Sequence, residues 1–203
     1  MNNYEFETKY YNQGIEYIAG VDEVGRGPLA GPVVAAAVIM PKGFYIEGIT
    51  DSKKLSEKKR NYYEKLILEN AISVGISFMS EKVIDEINIY EASRKAMIDA
   101  ISKLNPTPEV VLVDAMPLEI DVNTESIIKG DEKSFMIACA SIIAKQTRDR
   151  FMDELAIKYP EYGFEKHKGY PTKYHKEALK KHGVLDIHRK TYKPVQEILE
   201  KGK

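Results

Sequence analysis

The sequence predicts an α/β fold, a mixed five-stranded sheet flanked by helices, with a helical segment at its C-terminal end. Three observations carry that expectation. Short apolar, β-branched runs alternate with longer segments of helical period, rich in lysine and glutamate. The first two runs are joined through glycines and prolines as in a hairpin. The run 109–113 is unbroken and β-branched, as a strand covered on both faces requires.

Tyr17 to Glu23 and Val33 to Met40 are the first two strands, linked by Gly25-Arg26-Gly27-Pro28 to Gly31-Pro32. Ser56 to Asn70 is helical in pattern. Ala71 to Met79 is a third strand, with Ile72, Val74, Ile76 and Phe78 as its apolar alternation. Ser80 is placed to cap a helix from Glu81 to Leu104, with a break near Asn88. Strands follow at Glu109 to Val113 and Glu125 to Ile128. The longest helix spans about Lys133 to Tyr159, its apolar stripe formed by Phe135, Cys139, Ile142 and Ile143, with Ala138, Ala140 and Ser141 small enough for close approach to a sheet. A helix from about Lys173 to His182 ends at Gly183, and Pro194 opens another over Val195 to Lys201. Strands and helices then follow as βββ and βαβα, the order of a mixed sheet covered by helices. One domain over residues 1–203 is expected, with about 17–160 as its core and about 161–203 as the helical segment.

Composition narrows the class. With 43% hydrophobic and 30% charged residues, the chain is neither disordered nor fibrous. The apolar run Val33 to Met40 is too short to span a bilayer, and Met1 to Glu7 has neither a basic start nor an apolar stretch, so a cytoplasmic protein is expected. The single cysteine, Cys139, excludes an internal disulfide framework and a thiolate zinc cage, and its helical position marks it as core. A net charge of −1 argues against a uniformly basic surface. Lysines nevertheless gather at 166, 168, 173, 176, 180 and 181, interleaved with Tyr170 and Tyr174, close to His167, His175, His182 and His188. That stretch is either a solvated face or a nucleic-acid contact; its histidines, set in a surface helix and loop, are not expected to be ligands.

The chemistry lies in the carboxylates. Asp22 and Glu23 interrupt an apolar strand, Asp114 ends another, and Asp131 stands after a third. Taken singly, each has a plain structural reading as a turn residue or, for Asp131, a helix cap. Together, at strand ends of one α/β sheet, they match the place where such folds gather their sites. Oxygen donors without nearby Cys or His select Mg²⁺ or Mn²⁺ over zinc, the ions of in-line phosphodiester hydrolysis. Neighbouring strand residues face opposite ways, so Asp22 and Glu23 can share one ion only if the strand bends, which the following glycines permit.

These residues also carry a resemblance. Gly20-Val21-Asp22-Glu23-Val24-Gly25-Arg26-Gly27-Pro28-Leu29-Ala30-Gly31-Pro32-Val33 resembles the opening signature of ribonuclease HII. Asp51-Ser52-Lys53-Lys54-Leu55-Ser56, Val113-Asp114, Lys129-Gly130-Asp131, Ala140 to Lys145 with Thr147-Arg148-Asp149, Gly163-Phe164 through His167-Lys168-Gly169-Tyr170-Pro171-Thr172, and His188-Arg189 resemble its further blocks, covering about Tyr17 to Val195. The resemblance implies a ribonuclease-H-like fold and a metal-dependent endonuclease. Such an enzyme cuts on the 5′ side of a ribonucleotide in duplex DNA or an RNA/DNA hybrid, leaving 3′-hydroxyl and 5′-phosphate ends, and so removes misincorporated ribonucleotides and RNA primers. It implies two Mg²⁺ or Mn²⁺ ions at Asp22, Glu23, Asp114 and Asp131. It further implies that Gly25, Arg26 and Gly27 contact the ribose 2′-hydroxyl, that Ser52 and Lys53 lie near phosphates, and that Tyr170 stacks on the next deoxyribose. The C-terminal segment would then contact substrate, and a monomer is expected. The sister type, ribonuclease HIII, lacks this arginine and tyrosine. In isolation, Tyr170 also reads as a half-buried core residue.

Three rivals are weighed. A dinucleotide-binding loop needs a helix directly after the glycines, and here a strand follows. A resolvase or exonuclease of the same superfamily differs in substrate. A catalytically dead binding module is disfavoured by the complete set of carboxylates.

Overall fold

The computed structural model describes residues 3–201; the first two and last two residues of the expected domain lie outside them. A short helix α1 (Glu5–Tyr11) precedes strands β1 (Ile18–Val24) and β2 (Val33–Ile39). A 3₁₀ turn (Ser52–Lys54), helix α2 (Glu57–Asn70), strand β3 (Ser73–Met79) and helix α3 (Glu81–Ser102) follow. Strands β4 (Val110–Asp114) and β5 (Asn123–Ile127) lead through α4 (Gly130–Lys133) into α5 (Phe135–Lys158). The chain finishes with a 3₁₀ turn (Pro160–Tyr162), α6 (Phe164–His167), α7 (Lys173–His182) and α8 (Lys193–Lys201).

The strands form one mixed sheet in the order β3-β2-β1-β4-β5. β1 runs antiparallel to β2 and parallel to β4, and β5 runs parallel to β4. The glycine- and proline-rich link is thus a hairpin connection. On one face, Ile18, Val34, Ala36, Val38 and Leu112 pack with the head of α5; on the other, Ala19, Val21, Ala35, Ala37 and Val111 pack with Met97 and Ala100 of α3. Gly20 lets α5 settle onto β1, since a Cβ there would stand 2.1 Å from the Met136 carbonyl carbon. A third cluster joins Leu29 and Ala30 to Met152, Phe164 and Leu179, seating the C-terminal helices against the far half of α5.

Local signals placed several boundaries. Ser80 caps α3 by accepting from the Val83 amide at 3.4 Å, and Asn88 (φ 69°) breaks that helix. Gly183 (φ 87°) follows α7. Other expectations are corrected. The long helix does not run unbroken from Lys133: Ser134 is extended and caps α5 by accepting from the Ile137 amide at 3.2 Å, so Asp131 belongs to the separate turn α4 and is not its cap. Nor is α5 covered on one stripe only. Phe135 to Ala144 is buried all round, because the sheet, α1 and α2 enclose it, and each large apolar side chain there contributes about 1.5–3 kcal/mol. In β3 the fully buried positions are the small Gly75 and Ser77, pressed by α3, while Phe78 is exposed. His167, His175 and His188 are not on a surface: all three are buried, leaving only His182 exposed.

Candidate active site

The carboxyl ends of the parallel strands β1, β4 and β5 lie side by side, and the acidic residues sit there. Asp22 and Asp114 are carried by β1 and β4, and Asp131 by α4 just beyond β5. Alternation along β1 puts Asp22 on the α5 face with Ile18 and Val24, and Glu23 on the opposite side with Ala19 and Val21. The ladder with β2 continues without a bulge through Asp22, Glu23 and Val24.

Burial and mutual repulsion dominate the electrostatics. Burial, then the charges of Glu23 and Asp114, hold Asp22 well above the usual carboxylate range, with the Ser141 hydroxyl opposing. Glu23 is pushed up to about 7, by burial first and by Asp114, against the pull of Arg26. Asp131 rises to about 6 through burial and the nearby Asp114 and Asp51. Asp114 is raised by burial, although the Gly130 amide donates to its Oδ1 at 2.7 Å. Glu23 Oε1 lies 3.6 Å from Arg26 Nη1, while its buried Oε2 has no hydrogen-bond partner. The set is not a closed cage: among the described residues, no three Asp, Glu, His or Cys side chains form a ready metal-holding group. Two oxygens are turned to the backbone, Asp114 Oδ1 to Gly130 and Asp22 Oδ1 to the Glu23 amide at 2.7 Å.

Lys53 is a second cation set among these acids, beside Arg26. Burial would lower its pKa, but the attraction of Asp22, Asp51 and Asp131 raises it overall, so it stays charged. Asp51 shapes this turn by accepting from the Lys53 amide at 2.9 Å. Ser52 is buried, its Oγ 3.0 Å from Ser141 Oγ on α5, so it packs inward rather than facing solvent. Lys54 ties the turn to α4 through Glu132 at 2.8 Å, which commits the carboxylate next to Asp131 to another partner.

Beside the carboxylates lies a recess of about 210 Å³ lined by Glu23, Gly25, Arg26, Gly27, Lys53 and Tyr170. Residues far apart in sequence meet here: a Cβ on Gly27 would stand 3.5 Å from the half-buried Tyr170 ring. Gly25 (φ 98°) holds a backbone shape that few side chains allow. Larger clefts lie elsewhere, among them one of about 310 Å³ between α7 and α8 and one of about 380 Å³ along α2 and α5.

Sequence reasoning missed what holds this recess together. Arg148 and Arg189 are fully buried, and among the described residues neither has a carboxylate partner; both turn to backbone carbonyls. Arg148 donates to the carbonyls of Pro32 (3.0 Å), Lys168 (2.9 Å) and Ala30 (3.1 Å). Arg189 donates to those of Gly25 (2.6 Å), Arg26 (3.0 Å) and Gly31 (2.9 Å). Burial and the neighbouring Arg189 lower Arg148 to about 10, yet it remains charged because three carbonyl dipoles face it. The sequence offered no local signal for either, since Arg148 stands in Lys145-Gln146-Thr147-Arg148-Asp149-Arg150 and Arg189 in Asp186-Ile187-His188-Arg189-Lys190.

The mixed sheet order with acids at its carboxyl edge defines an α/β protein of the ribonuclease-H-like class. Solved structures agree: a ribonuclease H2 from Pyrococcus horikoshii OT3 superposes with a TM-score of 0.78 at 29% identity, covering 91% of this chain and 98% of that one. The ribonuclease HII in a complex with PCNA from Archaeoglobus fulgidus gives 0.72 at 27% identity, covering 87% and 95%. The chain belongs to the ribonuclease HII family, whose sequence pattern matches residues 19–195, and is therefore an endonuclease of the ribonuclease H type. A ribonuclease HII from Bacillus mycoides (strain KBAB4) is 56% identical over 201 residues, 99% of this chain and 77% of that protein.

Proposed function

We propose that the enzyme hydrolyses the phosphodiester on the 5′ side of a ribonucleotide, in DNA duplexes with embedded ribonucleotides and in RNA/DNA hybrids, leaving 3′-hydroxyl and 5′-phosphate ends. The observation that carries this reading is the junction of two features. A buried acidic strand edge with an unpartnered oxygen adjoins a glycine-lined recess closed by a tyrosine.

The donor set suits hard divalent cations, Mg²⁺ or Mn²⁺. It is all oxygen, its carboxylates are raised by burial and repulsion that a cation relieves, and Glu23 Oε2 is buried without a partner. Asp22, Glu23, Asp114 and Asp131 would hold two such ions, whose charge supports an in-line displacement at phosphorus. The chain's own residues do the rest. Gly25 and Gly27 let the backbone approach the ribose 2′-hydroxyl, the group that tells RNA from DNA. Arg26 and Lys53 hold phosphates without reading bases, and Ser52 sets the turn that carries Lys53. Tyr170 stacks on the deoxyribose that follows the ribonucleotide, and the exposed Lys166, Lys173, Lys176, Lys180 and Lys181 of the C-terminal segment extend the duplex contact. The enzyme would act as a monomer, one domain with its site on one face, in the cytoplasm, where it would remove misincorporated ribonucleotides and RNA primers. Among the described residues no helix is long and apolar enough to cross a membrane.

The test is cleavage of three labelled duplexes, all DNA, DNA with one ribonucleotide, and continuous hybrid, with Mg²⁺ or Mn²⁺. Cuts confined to the 5′ side of ribonucleotides are expected. Cutting of the all-DNA duplex, or cuts on the 3′ side, would overturn the reading. On the same substrates, Tyr170→Ala should slow the single-ribonucleotide reaction more than the hybrid reaction. A lost stacked ring costs about 1–3 kcal/mol, one to two powers of ten in kcat/KM. Tyr170→Phe should lose less; equal losses on both substrates would reduce Tyr170 to a packing role.

A further inference from the structure

The recess has two walls, the Gly25–Gly27 loop and Tyr170, and neighbouring residues of one C-terminal segment reach both. Arg189 holds the loop wall through the carbonyls of Gly25 and Arg26, and the Tyr192 hydroxyl adds a second bond to Arg26 at 2.6 Å. His188, the residue before it, starts a chain to the other wall. The Leu185 amide meets His188 Nδ1 at 3.0 Å, His188 Nε2 stands 3.1 Å from His175 Nε2, and His175 Nδ1 stands 3.0 Å from the Tyr170 carbonyl.

The protons along this chain are forced. An amide can only donate, so His188 Nδ1 is bare and its Nε2 carries the hydrogen. That hydrogen goes to His175 Nε2, which must be bare, so His175 Nδ1 carries its own hydrogen and gives it to a carbonyl that can only accept. Both rings are neutral and fully buried, and every hydrogen points toward Tyr170. Burial lowers each to about 4, consistent with that state. His167 braces the same turn: its ring stacks on His175 at 4.5 Å, and its Nδ1 accepts from the Gly169 amide at 3.2 Å.

We propose that His188, His175 and Arg189 form a positioning unit that sets the gap between Tyr170 and the Gly25–Gly27 loop, and thereby sets how strongly the enzyme favours a single ribonucleotide over a continuous hybrid. This rests on the reading of Tyr170 as the residue that meets the deoxyribose. Residues 188 and 189 are joined by one peptide bond, so the two walls share one register even though Gly25–Gly27 and Tyr170 lie far apart in the chain.

The full-length enzyme tests it through two changes at one position. In His175→Asn the amide nitrogen can occupy the Nδ1 position and still donate to Tyr170. In His175→Gln the amide reaches the Nε2 position, keeps the contact with His188 and loses the donor to Tyr170. The quantity measured is kcat/KM on the single-ribonucleotide duplex divided by that on the hybrid. Gln should lower this ratio about tenfold, mainly through kcat, as expected for a misplaced group, and Asn, which keeps the donor to Tyr170 but loses the link to His188, should lower it less. A purely packing role predicts the reverse order, since Asn leaves the larger void, and that order would overturn the proposal. Tyr170→Ala separates the two layers of the argument. If it lowers the ratio and His175→Gln does not, the positioning unit fails alone; if it leaves the ratio unchanged, the reading of Tyr170 fails too. Should the variants not fold, ¹⁵N ring spectra of the wild type decide: hydrogen on His188 Nε2 and His175 Nδ1 at neutral pH is required, and the opposite tautomer or a charged ring would sink the idea.

Discussion

At the scale of a residue, Asp22 shows a site working against its own fold. It is 6% exposed, and burial together with the charges of Glu23 and Asp114 raises its pKa. A neutral isostere removes both costs, so Asp22→Asn should nearly abolish cleavage at saturating Mg²⁺ while leaving the metal-free Tm equal to or above that of wild type. A normal rate would remove Asp22 from the metal set, and a clear fall in Tm would show that its charge stabilises the fold. Asp131 has no understudy. Glu132 is held by Lys54, which lowers its pKa, so Asp131→Asn should lose activity without rescue from its neighbour.

At the scale of an element, α1 lies outside the matched span 19–195 yet straps the site's supports. Glu7 is fully buried and accepts from Ser134 Oγ at 2.6 Å and the Met136 amide at 3.0 Å, capping α5 from outside. Tyr10 and Lys9 reach Glu125 on β5 at 2.6 and 2.9 Å, so α1 grips both sides of the segment that carries Asp131. Glu7→Ala strands two buried donors and should cost about 1–3 kcal/mol in chemical denaturation. Glu7→Gln keeps an acceptor oxygen and should cost less; equal losses would mean that packing, not capping, fixes this contact. Helix α7 and the turn before it make a different prediction. Lys166 and Lys173 are exposed, whereas Lys168 is bonded to Asp153. Replacing all three with Gln should shallow the salt dependence of duplex binding by nearer two than three lysines' worth, at about 0.9 in log–log slope each. An unchanged slope would mark the stretch as a solvated face.

At the scale of the molecule, the buried histidines govern acid stability. His175 and His188 titrate near 4 when folded and near 6.5 when unfolded, because burial penalises their charged forms. The unfolded chain therefore binds more protons between those values. The stability they contribute is complete above pH 6.5 and is lost as pH falls toward 4. The raised carboxylates of the site act in the opposite direction over part of that range. The informative quantity is thus the stability difference between wild type and a His175→Asn/His188→Gln variant, in which the carboxylate contributions cancel. That difference should shrink steadily from pH 6.5 to 4 in metal-free denaturation; a constant difference would mean that the two rings titrate alike in the folded and unfolded chain.

The sheet strands, the break at Asn88, the hairpin after β1 and the acids at strand ends were legible in the chain, because each depends on spacing within one element or on the residues flanking it. The recess was foreshadowed only by resemblance, since Gly27 and Tyr170 meet through a fold that returns over more than a hundred residues. Burial of the histidines followed the same logic. His175, Ala178 and Leu179 already share one helical face by spacing, but the basic residues around them signalled a surface, and only the packing of Phe164 and His188 against that face reversed it. Arg148 and Arg189 were hidden for a related reason: a guanidinium can be buried without an acid if backbone carbonyls converge on it, and where carbonyls converge is decided by loops, not by neighbours in sequence. Periodicity determined which face of each element seeks cover. The tertiary structure alone decided how many faces were covered, because that depends on what the rest of the chain brings to them.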